Sequence, residues 1–562
     1  MIGEMSPGLI LVLGAVLVPF LKGQARAAWM LALPIIGLMQ LLSLPMGDLG
    51  QTTLAGVPLT TMRVDGLSWL FGFVFLFAAF IGILYNLYHD DPLQHAAGLV
   101  YAGSAIGAVF AGDLVTFFLY WEGTAIASVF LIWASGTERA YRAGMRYLII
   151  QIGSGVILLA GILIHHHATG SLAFTKFGLD APGAMLILLA IGIKCAFPLL
   201  GSWLPDAYPQ ATPGGTVLLS AFTTKLAIYA LARAFPGTGI LIPIGLVMAV
   251  VPLIYAMMEN DLRRTLAYTL NNQLGFMVVA VGIGTEMAIS GAAAQAFVHV
   301  VYKSLLFMAI GAVLYRTGTA EASALGGLRA TMPLTAALCI IGGLSIASPL
   351  LGGFVAKSLI LSAAMKDGYF WVWLILLGAS AGAFVATAIK IPYAAFFAAD
   401  SGKRPEEAPK PMLAAMSLAA LASLIVGLWP SLLYGALPFP MTYDAYTLEH
   451  VVTQLQLMAF ATLAMVVMVA LGLYPFERPG QLLGADWLYR GLGYRLLRWI
   501  EAAANAAWTS IVGGVTSASG ATVAWARSLH GPDGLFGRTW PTGTMALWTT
   551  VMLGAYLILA FV

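Results

Sequence analysis

The stretch Ile191–Tyr229, IGIKCAFPLLGSWLPDAYPQATPGGTVLLSAFTTKLAIY, sets two lysines, Lys194 and Lys225, inside apolar runs. Between them stand Pro198, Pro205, Pro209 and Pro213 with Gly201, Gly214 and Gly215, so helical hydrogen bonding is interrupted there. Inside a bilayer such a break is tolerated only where protein or a water-filled cavity satisfies the freed backbone groups. The stretch therefore reads as broken, membrane-embedded backbone, and its two lysines as candidates for a buried ion path.

The rest of the chain supports a membrane setting. Of 562 residues, 60% are hydrophobic and 9% charged, and the mean hydropathy is +0.90; an ordinary globular domain carries roughly 25% charged residues. At about 20 apolar residues per span, roughly 16 transmembrane helices are expected. They fall near 6–21, 27–45, 67–88, 94–111, 113–135, 142–164, 181–199, 212–233, 238–257, 263–284, 287–315, 332–364 (interrupted), 370–398, 411–436, 452–474 and 543–561. The segment at 6–20 has no small-residue cleavage pattern and reads as the first helix rather than a signal peptide. A net charge of +3 without a basic stripe excludes a nucleic-acid partner. No phosphate-binding loop, Cys-x-x-Cys pair or dinucleotide fingerprint is present, so no cofactor and no nucleotide hydrolysis are expected. Cys195 and Cys339 lie far apart. His165, His166 and His167 point about 100° apart on a helix and cannot share one metal ion.

Basic residues cluster after the odd-numbered helices, among them Arg139, Arg142 and Arg146, Arg263 and Arg264, and Lys403, Arg404 and Lys410. The positive-inside rule then puts both termini outside, on the positive side of a bacterial cytoplasmic membrane. Residues 484–509 place Trp487, Leu488, Leu492, Leu496, Leu497 and Ile500 at helical spacing among arginines, which fits an amphipathic helix in the interface or a soluble cap. Residues 510–540 carry no clear motif. A duplication is also visible: Lys194 precedes a break at Pro198, and a Ser-Pro-Leu-Leu-Gly-Gly break at 348–353 precedes Lys357. Interrupted helices at matching places in two halves point to a repeat with an ion site at mid-membrane depth.

An ionised group at the bilayer centre costs about 2.5–3.5 kcal/mol on insertion scales, so each one needs a partner, a wet cavity or a neutral state. Glu122 lies mid-depth in GDLVTFFLYWEGTAIASVFLIW, where Lys194 is a candidate partner; a protonated carboxyl hydrogen-bonded to a neighbouring helix is the alternative. Lys225 has no carboxylate within two turns and is the candidate carrier, snorkelling being the alternative. His299 and Lys303 form an i,i+4 pair, suited to a relay or to fixing helix packing. Lys357 faces a cavity or the outer water. Asp113 and Asp206 are secondary candidates, and Lys390 in TAIKIPYAAFF is expected to be an interface anchor.

Several runs together resemble a known family: Arg63-Val-Asp65-Gly-Leu-Ser, Gly112-Asp113-Leu, Phe117-Phe-Leu-Tyr-Trp121-Glu122, Lys194 with Pro198, Trp203-Leu-Pro-Asp206-Ala, Asp261-Leu-Arg-Arg264-Thr-Leu-Ala-Tyr268, His299-Val-Val-Tyr-Lys303-Ser-Leu-Leu-Phe and Gly353-Phe-Val-Ala-Lys357. In this order, over about 60–400, they resemble the antiporter-like membrane subunits shared by respiratory complex I and the Mrp-type multisubunit Na+/H+ antiporters. Asp206-Ala-Tyr-Pro, Leu219-Ser-Ala-Phe-Thr-Thr-Lys225 and Ile389-Lys-Ile-Pro-Tyr look most like the D-type subunits of the Mrp group.

The resemblance implies an all-α polytopic membrane protein with a core of fourteen helices. N-terminal helices (1–93) would precede two inverted five-helix repeats (94–234 and 235–400) with broken helices seven and twelve; helices fourteen and fifteen (401–475) and a C-terminal segment (476–562) would follow. It implies a gating pair of Glu122 and Lys194, a central proton carrier at Lys225, and a path through His299, Lys303 and Lys357. The segment 208–216 departs from relatives that carry a histidine there, and Arg263 stands where lysine is frequent. The expected function is proton translocation within a multisubunit cation/proton antiporter, with other membrane subunits, H+ and Na+ as partners. The alternative is a proton-pumping subunit in the membrane arm of a redox complex, a quinone oxidoreductase or a membrane-bound hydrogenase.

Overall fold

The structure, a computed structural model, describes residues 5–54, 56–439, 441–472, 491, 493–539 and 541–561. The chain divides into two units, Met1–Gly484 and Ala485–Val562. In the first unit the helices are α1 (Pro7–Ala15), α2 (Gly23–Ser43), α3 (Gly66–Asn86), α4 (Pro92–Phe110), α5 (Leu114–Trp133), α6 (Glu138–Thr169), α7 (Ala184–Lys194), α8 (Trp203–Ala207), α9 (Pro213–Ala221) and α10 (Thr223–Ala234). They continue with α11 (Leu241–Met258), α12 (Leu262–Ile283), α13 (Glu286–Thr317), α14 (Pro333–Leu344), α15 (Gly352–Lys366), α16 (Phe370–Phe384), α17 (Lys410–Leu428), α18 (Pro430–Tyr434) and α19 (Leu448–Ala470). The second unit contains α20 (Tyr494–His530) and α21 (Thr542–Phe561).

Among the described residues, 13 helices are long and apolar enough to cross a membrane, and Pro7–Phe20, α7 and α14 are shorter apolar helices. All sixteen expected spans are therefore helical, with α14 and α15 as the two halves of the interrupted one. The span formed by α9 and α10 is 100% buried and those of α12 and α13 are 89% buried, against 33% for α2 and α11. The polar residues of α10, α12 and α13 thus sit in the middle of the bundle, while the apolar faces of α2 and α11 remain outside.

The duplication extends through whole elements. Asp113 caps α5 and bridges to Ala173; Asp261 caps α12 and bridges to Glu321. Thr137 caps the 32-residue α6 and Thr285 the 32-residue α13, and each helix ends on a left-handed glycine, Gly170 or Gly318, which lacks the Cβ that disfavours that conformation. Asp113 to Asp261, Thr137 to Thr285 and Gly170 to Gly318 are separated by one constant offset. Each long helix is followed by a broken one.

At the first break, Ala196 and Leu199 take left-handed φ of 61° and 68°, and at the second Leu350 takes 70°. Such angles strain non-glycine residues and need surroundings that enforce them. Side chains recover groups released by the breaks, from nearby at the first and from a distant segment at the second. The Trp203 indole donates to Ile193 O at 2.9 Å, and the Leu350 amide donates to the Tyr446 hydroxyl at 3.1 Å. Close approach requires Gly353, where a Cβ would fall 2.1 Å from Ser345 O.

Two expected spans are corrected, and two further elements are found where the sequence suggested none. The span at 212–233 is not one helix but α9 and α10, parted at Phe222. The span at 370–398 is α-helical only to Phe384 and then makes wider π-helical turns at Val385–Lys390 and Tyr393–Phe397, next to the Ile391-Pro392 bond where proline interrupts the regular ladder. A hairpin, β1 (Gly47–Leu54) and β2 (Val57–Val64), fills the loop before α3, with Gly56 at φ 81° immediately before β2. The segment at 510–540 is largely helical, because α20 runs 37 residues to His530. The first half of the expected amphipathic segment, with Trp487, Leu488 and Leu492, lies outside the described residues.

Candidate functional site

Lys194, the last residue of α7, is fully buried, and its Nζ donates to Trp121 O at 2.6 Å and Thr124 Oγ1 at 2.9 Å on α5. It also sits 4.2 Å from the centre of the Trp121 ring. The ammonium is thus seated on a carbonyl, a hydroxyl and an aromatic face one residue from Glu122. The two charges act on one another, but the hydrogen bonds of Lys194 do not go to that carboxylate. Glu122 turns toward α6: its Oε1 is buried without a hydrogen-bond partner, in a slot that exists because residue 155 is glycine. A Cβ there would lie 1.4 Å from Oε1. On the same face of α6, one turn earlier, both amide atoms of buried Gln151 also lack partners.

Lys225 stands in the first turn of α10, and the break at Phe222 explains its position. Losing one turn frees Ser220 O and the Thr223 amide. The first accepts from Lys225 Nζ at 2.5 Å and the second donates to the Tyr101 hydroxyl at 3.0 Å. The lysine thereby terminates α9 from within the next helix, with no ion pair among the described residues.

His299 and Lys303, one turn apart on α13, are both 0% exposed. Lys303 Nζ donates to Thr269 Oγ1 at 2.6 Å and Leu266 O at 3.3 Å on α12. Both His299 ring nitrogens lack a protein partner, and the charges of Lys225, Lys303 and Lys357 all act on this ring. Lys357 on α15 is 3% exposed, donates to Ser380 Oγ at 3.2 Å and lies 5.1 Å from the Phe276 ring centre. Thr224 Oγ1 and Ser304 Oγ are buried without partners as well. Buried polar groups left unpaired by protein are ordinarily satisfied by internal water, so this row is a wettable seam.

The secondary candidates stand apart. Asp113 accepts from the Thr116 amide at 2.7 Å and the Thr116 hydroxyl at 2.8 Å, which is helix capping. Asp206 on α8 holds Arg146 of α6 through two bonds of 2.9 and 3.0 Å. Lys390 is not an exposed anchor: it is 2% exposed and donates to the carbonyls of Met257 at 2.9 Å and Glu259 at 2.7 Å, capping the end of α11 that the π turn brings within reach.

Sequence reasoning missed three fixtures around this seam. Arg263, 4% exposed, gathers the carbonyls of Pro209 at 2.6 Å and Ala211 at 2.7 Å together with the Thr216 hydroxyl, holding the Pro/Gly segment against α12. Arg233 joins the Tyr229 hydroxyl at 2.7 Å to Asp65 at 2.8 Å. Burial pulls the Asp65 carboxyl upward, but the Arg233 charge and the Ser68 amide outweigh it and hold it below the usual carboxylate value. Glu259 shows the opposite balance: burial pushes it up, and Arg264, 3.5 Å away, offsets this only in part. Arg263 and Arg264 follow a helix cap, so as sequence they read as loop charges. Gln151 carried no signal beyond its polarity in an apolar span.

Comparison with known proteins bears on this arrangement. Residues 111–382 match the family described as NADH:quinone oxidoreductase/Mrp antiporter, TM. The chain is 33% identical over 285 residues to the D-type Na(+)/H(+) antiporter subunit of Alkalihalophilus pseudofirmus, covering 47% of this chain and 58% of that protein. It is 26% identical over 420 residues to hydrogenase-4 component B of Escherichia coli, covering 66% and 62%. The chain spans about half the length of the curated relatives it matches. The Mrp complex from Dietzia sp. DQ12-45-1b contains a chain of similar fold, at TM-score 0.77 and 23% identity, covering 92% of this chain and 62% of that one. Glu122, Lys194, Lys225, His299, Lys303 and Lys357 all fall inside the segment that matches the family described as NADH:quinone oxidoreductase/Mrp antiporter, TM.

Proposed function

We propose that this chain is a proton-translocating subunit of an Mrp-type multisubunit cation/proton antiporter, working with other membrane subunits. The observation that carries the reading is the set of buried ammonium groups Lys194, Lys225, Lys303 and Lys357, on α7, α10, α13 and α15, none of them in an ion pair among the described residues. Unpaired charge at membrane depth marks an ion path. Protons move along Lys225, His299, Lys303 and Lys357 through water held by the unpartnered groups between them. Glu122 and Lys194 act as the gate: at ~4 Å and an effective dielectric of ~20 their attraction is about 4 kcal/mol, so a shift of Lys194 between its present acceptors and the carboxylate changes the field felt by Lys225.

The repeats are read as 94–234 and 235–400. An odd number of spans separates Asp113 from Asp261, which supports their lying on opposite faces and the halves being inverted. The positive loops favour outside termini. The test replaces Lys225 with alanine in the intact complex and records transport-linked ΔpH in inverted vesicles. The expected result is loss of the ΔpH; an undiminished one sinks the carrier role. A second reading, a subunit of the proton-pumping arm of a redox complex, is favoured by the likeness to hydrogenase-4 component B. Copurification of an iron–sulfur partner would select it.

A further inference from the structure

Beside Lys357 the bundle opens into a cavity of about 230 Å³. Lys357, Ser358 and Ser362 of α15 line one side of it, and Glu449, His450 and Gln454 of α19 line the other. α19 lies beyond the matched family segment, which ends at residue 382. Three observations converge on α19. Gln454 is 8% exposed and its Nε2 has no partner; one turn earlier, His450 Nδ1 is buried and also unpartnered. Residues four apart share a helix face, and this face is turned into the cavity. The far side is polar as well: Ser362 Oγ pairs with the Tyr443 hydroxyl at 2.7 Å, and the Tyr443 ring stacks on His450 at 5.9 Å. The floor and the mouth also differ, for Lys357 is 3% exposed whereas Lys366 and Glu449, which also line the cavity, are exposed.

An ammonium has three donors, and among the described residues Lys357 spends one on Ser380. A water needs only about 10–15 Å³ of this kind of volume and two to four polar partners. The cavity has room for several, and Lys357, Ser358, His450 and Gln454 offer them partners.

We propose that the first two turns of α19 form the mouth of the proton path, carrying the proton from Lys357 through this water to the surface at Glu449 and Lys366. The proton leaves the Lys357 ammonium for water and is released to solvent; no bond other than N–H and O–H is made or broken. The inference rests on the proton-translocating reading above.

Two measurements on the assembled complex in native membranes test it. The first is Ser358→Cys treated with a membrane-impermeant maleimide; Cys195 and Cys339 are 0% exposed and give little background. Ser358→Cys reacts from the side on which Glu449 opens, and added Gln454→Trp blocks the reaction. Absence of labelling without any change in α19 overturns the proposal, whatever becomes of the α19 variants. The second is transport: His450→Phe with Gln454→Leu lowers the ΔpH rate severalfold in complexes shown by native gel to be assembled, and His450→Asn restores part of it. If the double variant transports normally while Lys225→Ala does not, the mouth is wrong and the function stands. If Lys225→Ala transports normally, both fall.

Discussion

The two halves of the core share a scaffold and differ in where they put charge. In each, an aspartate caps a helix, that helix packs on a partner of 32 residues, and a broken helix follows. Carried across the constant offset, Gly155 of α6 corresponds to Lys303 of α13, and Glu122 of α5 corresponds to Leu270 of α12. The first half thus has an acid on the shorter helix facing a bare position on the longer one, and the second has a base on the longer helix beside a leucine. Even so, the ammonium groups of both halves seat alike. Lys194 bonds Trp121 O and Thr124 Oγ1, and Lys303 bonds Leu266 O and Thr269 Oγ1, each a carbonyl and a threonine three residues apart on the capped helix. The two seats share a chemistry but not a position, since across the offset Trp121 and Thr124 fall on Thr269 and Asn272, about one turn from the Leu266 and Thr269 seat; the halves are specialised by where and from which helix the cation is delivered and by whether an acid is added.

That contrast is broken most directly at Glu122. Glu122→Gln keeps the shape and removes the charge, and transport is expected to fall about a hundredfold, the lower end for loss of a positioned proton-transfer group, with assembly unchanged on a native gel. Normal flux in this variant would make Glu122 a packing residue. Lys303→Met comes next: it removes one protonatable site of the proposed path but leaves His299 one turn away, and a roughly tenfold loss of rate, about 1.4 kcal/mol on the barrier, is expected. If Lys303→Met proves the more damaging, the first half is not the controlling one. Gly155→Ala sharpens the point without touching a charge. Its Cβ would meet Glu122 Oε1 at 1.4 Å, so the carboxylate must leave its slot, and a severalfold loss is expected, measured as initial ΔpH rate per assembled complex.

How much of this was legible depended on whether a feature is local. Buried lysines in apolar runs stand out by composition, so Lys194, Lys225, His299, Lys303 and Lys357 were visible as candidates, and the proline-rich segment announced a break. The break at Phe222 was not, since Ala221-Phe222-Thr223 contains no glycine or proline; it depends on Tyr101 and Lys225 recovering the freed groups from elsewhere. The seat of Lys194 was hidden for a related reason. Glu122 and Lys194 at similar depth suggest a pair, and their charges do act on one another, but the hydrogen bonds of Lys194 go to Trp121 and Thr124 while Glu122 faces Gly155. The roles of Gln454 and Lys390 required knowing which helices pack together, and a single chain carries no record of that at the level of residue type.

The smallest expected effect separates scaffold from path. Asp113 and Asp261 occupy equivalent caps, but Asp113 uses both oxygens, on the Thr116 amide and hydroxyl, and is 2% exposed, whereas Asp261 accepts from the Arg263 and Arg264 amides at 2.8 and 3.3 Å. Replacing a helix N-cap by alanine costs about 1 kcal/mol, and leaving buried donors unpaired raises that cost. Asp113→Ala should therefore lower the melting temperature of the purified complex more than Asp261→Ala. In both variants, turnover per assembled complex should stay at the parental value, because neither carboxylate reaches the lysine seam. Should Asp113→Ala abolish transport while melting normally, this aspartate would belong to the path. The equivalence of the two caps would then be one of position only, with the first half carrying a second acid in addition to Glu122.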